Sequence, residues 1–285
     1  MHPRLSAAIL LASLAPANPV QSQNVAPAAA VPAGPQLSYA DLADLALAAP
    51  VAAHLRIRGA DRLDAREAPN TAPGFHRFLV EAEVVALIRG EGGLAPQVSY
   101  LVDLPDDSRG HPARLRRRDE VLVLARRVPS RPAELRLAAP DAQLPYAPAT
   151  AERLRAILRD AMAAGAPPRI SGIGRAFHVP GSLPGESETQ IFLQTADGRP
   201  ISLSILRRPG ERPRWSVALS EIVDEAAAPP APDTLLWYRL ACTLPPRLPP
   251  QSLSEASAEE ARAIQADYRV VMDGLGPCRR TRARR

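Results

Sequence analysis

A chain of 285 residues with 46% hydrophobic side chains is long enough for two ordinary domains, each with its own core. Its net charge of +5 is accounted for by Arg279, Arg280, Arg282, Arg284 and Arg285 in the last seven residues, so the body is formally near neutral and lacks the basic face of a nucleic-acid binder. All 35 basic residues are arginine, which we read as coding bias, and the 32 prolines, about double the usual share of ~5%, favour short elements over long helices.

In chain order, Met1-His-Pro-Arg4 supplies a short positive start, and residues 5–14 form an apolar run ending in small side chains. That is the pattern of a secretory signal peptide over residues 1–22, with cleavage after Ala17 or after Ser22. The run falls short of the ~20 residues that span a bilayer, so it predicts export to the periplasm or beyond, with no transmembrane segment. Residues 23–37, rich in Ala, Pro and Gln, read as a linker. Ser38 and Asp41 then have the spacing of a capping box, and predict a helix closed by Pro50.

From residue 51 to residue 137 the apolar period is two. Ala53, Leu55 and Ile57 alternate with polar neighbours, as do Phe78, Val80, Ala82 and Val84, and then Val98, Tyr100 and Val102. Val121-Leu-Val-Leu-Ala125 reads as a strand buried on both faces, and Glu134-Leu-Arg-Leu137 as a shorter one. A helix and these strands over residues 38–138 predict a small antiparallel barrel or sandwich. The strand pattern resembles secreted OB-like barrels of the netrin or tissue-inhibitor type, and the resemblance carries no site residue across.

Residues 139–149, with Pro140, Pro145 and Pro148, read as a domain boundary, and the second domain is expected over residues 150–278. Thr150 is the expected cap of a helix whose Leu154, Ile157, Leu158, Ala161 and Met162 share one face. This helix is expected to cover the sheet that follows. Residues 190–195 and 201–205 flank Asp197-Gly198, a dipeptide suited to a tight hairpin, and Trp215-Ser-Val-Ala-Leu219 continues the sheet. One face, with Ile201, Leu203 and Ile205, must be buried. Asp233 is the expected cap of a short helix through Ala241, and Ser257 with Glu260 forms a capping box for a last helix that ends at Gly274 and Pro277. The fold class expected is therefore α+β: a barrel or sandwich, then a helix-covered antiparallel sheet with two C-terminal helices, and a basic tail over residues 279–285 that is solvated.

The chain has two cysteines, Cys242 and Cys278, just past the ends of the last two helices. In an oxidising compartment a structural disulfide is the parsimonious reading; a redox pair or two free thiols are the alternatives, and no C-x-x-C spacing favours them.

Two loops gather chemistry-bearing residues. Residues 178–189 hold His178, Ser182 and Glu186, the residue types of a nucleophile, a base and an orienting acid, without the G-x-S-x-G order of a nucleophile elbow. Residues 103–119 hold carboxylates at a spacing that is not that of an EF-hand, followed by Arg114, Arg116, Arg117 and Arg118, which suit an anion such as a phosphate or a lipid head group. The bland reading of each is an ordered or solvated loop. The five histidines are scattered, which predicts no metal, and no G-x-G-x-x-G or P-loop is present, which predicts no cofactor.

The run Gly185-Glu-Ser-Glu-Thr-Gln-Ile-Phe-Leu-Gln-Thr-Ala-Asp-Gly198, with residues 215–225, resembles exported alphaproteobacterial proteins that have no assigned activity. The expectation is a soluble, exported, non-catalytic binding or envelope-associated module, its partner an envelope component or an anionic ligand and not nucleic acid. The alternative is a periplasmic hydrolase using His178, Ser182 and Glu186.

Overall fold

Helix α1 (Tyr39–Ala48) opens the fold of the computed structural model, which describes residues 37–107, 109–219 and 228–282. The expected signal peptide, the linker up to residue 36, residues 220–225 of the sheet run and residues 283–285 of the tail lie outside the described residues. Ser38 caps α1 by accepting from the Asp41 amide at 3.1 Å, as its spacing predicts.

Five strands follow: β1 (Val51–Arg62), β2 (Phe75–Arg89), β3 (Gln97–Pro105), β4 (Glu120–Val128) and β5 (Arg131–Leu137). They pair in the order β1-β2-β3-β5-β4, and β4 pairs back onto β1, so the sheet closes as a barrel and leaves the sandwich alternative aside. Every pairing in the ring is antiparallel except β3 with β5, which is parallel and holds only Ser99 to Glu134 and Tyr100 to Leu135. Alternation decides which residues fill it. Leu55, Ile57, Val80, Ala82, Val121 and Val123 meet inside the barrel, whereas Leu122 and Leu124, one residue out of phase, join a second core outside it. That is why residues 121–125 are apolar without interruption: both faces of β4 are buried, one by barrel and one by helices.

Residues 139–149 contribute to this packing. Strand β6 (Gln143–Pro145) pairs with β4, Ala142 is fully buried, and the Tyr100 hydroxyl donates to Gln143 at 2.7 Å. Helix α2 (Pro148–Met162) starts two residues ahead of the expected Thr150, with proline at its first turn, where a missing N–H costs nothing.

A second, four-stranded antiparallel sheet follows, formed by β7 (Ile170–Pro180), β8 (Ser187–Thr195), β9 (Ile201–Arg207) and β10 (Arg214–Ala218) in the order β10-β9-β8-β7. Its inner face buries Ile191, Ile201, Leu203 and Ile205, while Phe177, Val179, Phe192 and Leu206 stay exposed on the other face. Helix α3 (Leu235–Ala241) is capped by Thr234, whose hydroxyl accepts from the Trp237 amide. The expected cap, Asp233, instead occupies a left-handed turn with φ of 59°.

The helix tied across the second sheet is α4 (Ala258–Leu275), whereas α2, the helix expected there, packs against α1 and α3. Helix α4 buries the stripe Ile264, Tyr268, Val271 and Leu275, and the Ser257–Glu260 capping box is present. It runs one residue past Gly274 and stops at Gly276, whose φ of 67° breaks the helix. Cys242 and Cys278 are joined, their Cα atoms 5.0 Å apart, which ties the end of α3 to the chain just beyond α4. No helix among the described residues is long and apolar enough to cross a membrane.

Candidate functional site

Half of the segment 178–189 is strand. His178 lies in β7 opposite Thr189 in β8, so the connecting loop shrinks to residues 181–186. The fully buried Thr189 hydroxyl donates to Asp267 Oδ2 on α4, and its oxygen bonds His178 Nδ1 at 2.9 Å. Arg207 Nε donates to the other Asp267 oxygen at 2.6 Å, and Asp267 is itself fully buried. A buried carboxylate satisfied from two strands, β8 and β9, pins α4 to the sheet, because taking that charge out of water is tolerable only with such partners.

Ser182 is not part of this cluster. It sits exposed in the turn, and Glu186 folds back so that its carboxylate accepts from the Leu183 amide. The structure thus brings His178 to Thr189 and Asp267, and does not bring it to Ser182 or Glu186.

Arg114, Arg116, Arg117 and Arg118 are all exposed on the loop between β3 and β4. That loop is fixed through its backbone: the Arg118 amide donates to Ile57 O at 2.8 Å, and the Arg116 amide to the Asp119 carboxylate at 2.8 Å. The acidic residues upstream are also engaged. Asp103 takes two bonds from Arg77, and Asp107 accepts from the amides of Arg109 and His111, which lowers its pKa. None of these four arginines lines any of three clefts of comparable size.

One of those clefts, of about 830 Å3, lies between the barrel and α2. Five of the twelve residues lining it are arginines, Arg89, Arg126, Arg127, Arg155 and Arg159, and the one acid is Glu91. Arg89 ends β2 and Glu91 lies in the turn after it, Arg126 and Arg127 come from the end of β4, and Arg155 and Arg159 from successive turns of α2. Closure of β1 on both β2 and β4 brings the first two sets together, and α2 adds the third.

Their partners leave positive charge unmatched. Arg127 donates to the carbonyls of Glu91 and Gly93, Arg89 to the Ala46 carbonyl at 3.2 Å, and Arg155 pairs with Glu152. Arg126 and Arg159 make no side-chain hydrogen bond or ion pair among the described residues. Guanidinium groups gathered around one cleft suit an oxyanion, whose geometry matches their paired N–H donors. The sequence offered partial signals for this cleft, Arg126 next to Arg127 at a strand end and Arg155 four residues before Arg159, but nothing that joined them.

A second cleft, of about 790 Å3, is walled by α1, the end of β3, residues 139–143 and the beginning of the tail. Residues 280–282 of the tail are docked here, contrary to their reading as part of a solvated run. Arg280 makes two bonds to Asp44, at 2.6 and 3.0 Å, and Arg282 two to Asp141, at 2.7 and 2.6 Å. Between them Thr281 donates its amide and hydroxyl to Asp41. Asp44, Asp141 and Asp103 in this cleft are thereby matched by the chain's own arginines, and Asp41 by Thr281 and Ser38. A search of protein-family models finds none that matches this chain, and no curated protein matches it either.

Proposed function

We propose that this chain is an exported, non-catalytic binding module whose ligand is an anion held in the cleft between the barrel and α2. The observation that carries the reading is the set of five arginines around that cleft with a single carboxylate among them. Placement in the periplasm or outside the cell is supported by the leading sequence pattern and by the paired Cys242 and Cys278, since such a bridge persists in oxidising compartments. The binding role is supported by the way polar side chains elsewhere are spent on the fold: His178, Thr189 and Asp267 hold α4, and Arg280 and Arg282 hold the tail.

Calorimetric titration with inorganic pyrophosphate tests the proposal. The native chain should bind it with an affinity that falls as salt is raised, because the screening length shortens from ~10 Å at 0.1 M to ~3 Å at 1 M. Arg126→Gln combined with Arg159→Gln, which removes two groups with no side-chain partner among the described residues, should weaken binding by about tenfold or more at low salt with no loss of melting temperature. Equal affinity in the double variant would contradict the proposal.

A further inference from the structure

The wall that α2 gives to the arginine cleft is two-sided. Arg155 and Arg159, four residues apart, form one column along the helix, and Leu158 and Met162, also four apart, form another beside it. Leu158 is buried, but Met162 is 73% exposed although it belongs to the apolar set of the helix. Across the cleft the barrel repeats the pairing, with Ile88 next to Arg89 and Val51 below them. An inorganic oxyanion would engage the guanidinium groups and leave the Met162 thioether in water.

Resting on the anion-binding reading of the same cleft, we infer that its ligand is an anionic amphiphile: a single hydrocarbon chain bearing a phosphate-type head. The head meets Arg126 and Arg159, which have no side-chain partner among the described residues, and the chain runs over Met162 and the edge of Leu158 toward Ile88. A cleft of about 830 Å3 is within the ~300–1,000 Å3 that encloses most of a ligand of that size. Both ligand parts are required by the lining, because apolar contact and charge pairing are supplied by alternating positions of the same elements. A long flexible methionine at the mouth suits chains of varied length, since its side chain repacks easily.

The test compares three probes with the full chain by calorimetry, each below its micelle concentration: dodecyl phosphate, methyl phosphate, and the neutral dodecyl maltoside. Dodecyl phosphate should bind at least about tenfold more tightly than methyl phosphate, the yield of burying only two methylenes, and dodecyl maltoside more weakly than dodecyl phosphate by a similar factor. Met162→Ser should reduce the dodecyl phosphate affinity about threefold or more and leave methyl phosphate binding unchanged. Arg126→Gln with Arg159→Gln should weaken both phosphates. Equal binding of the two phosphates would overturn the amphiphile inference and leave the anion reading standing. Equal binding of dodecyl phosphate and dodecyl maltoside would overturn it as mere apolar partition. Failure of both phosphates to bind would overturn the inference and the anion reading together.

Discussion

Gly274 stands inside the last turn of α4, where an added Cβ would lie 2.4 Å from Nε1 of Trp215 on β10. A glycine at a helix interior ordinarily costs up to ~1 kcal/mol relative to alanine. Here it is what lets the helix lie close on the indole, so Gly274→Ala should lower stability by about 1–3 kcal/mol through overpacking, read as a lower urea midpoint. An unchanged or raised midpoint would show that Trp215 moves aside freely. In the sequence Gly274, with Pro277 after it, looked like a helix stop. Local pattern cannot tell a glycine that ends a helix from one that admits a ring from another element. The same limit hid Asp267. It stands beside Tyr268 within an apolar stripe, and only the meeting of Thr189 and Arg207 in space shows why a carboxylate is tolerated there.

Among elements, the tail segment behaves as a strap. Burial alone would raise the pKa of Asp41, but the Thr281 hydroxyl and amide, with Ser38 and the Arg282 amide, outweigh it and leave the group below its ordinary 3.8; the bonds from Arg282 likewise lower Asp141. A carboxyl with a depressed folded-state pKa stabilises fully above its unfolded value, and that contribution disappears as pH falls through the folded value. The Thr281 amide resonance should therefore keep its docked position down to pH ~4 and move only below the ordinary carboxylate range of ~3.9. A midpoint above pH 4 would contradict the arrangement. The strap is also held covalently at its root. Replacing Cys242 and Cys278 together by serine opens a closure spanning 36 positions, and should cost about 3–4 kcal/mol and lower the melting temperature. An unchanged melting temperature would mean that α3 and α4 hold the chain end unaided. The strap was illegible in sequence because Asp41, Asp44 and Asp141 lie far from residues 280–282, and a terminal run of like charge is by itself a solvated feature.

At the scale of the molecule, a barrel and a four-stranded sheet share one helical core, to which β4 lends its outer face and β8 and β9 their inner one. The strands of the barrel were legible because alternation records which side of a strand meets a core. The uninterrupted run at residues 121–125 showed in advance that something would cover the barrel there. The choice of α4 over α2 as the helix across the sheet was not legible, since both carry one apolar stripe, and the decision rests on polar contacts between distant segments. The arginine cleft was hidden for a related reason: its members come from β2, β4 and α2, and a chain without lysine makes every arginine look like composition. The exposed quartet within residues 114–118, clustered and conspicuous, drew the anion reading to four side chains that line none of the three clefts. The measurement that separates the two places most directly is a pyrophosphate titration of the full chain followed by amide and arginine Nε resonances. Saturable shifts centred on Arg89, Arg126, Arg127, Arg155 and Arg159, with the 114–118 loop silent, are the predicted result; shifts confined to that loop, or none at all, would contradict the account.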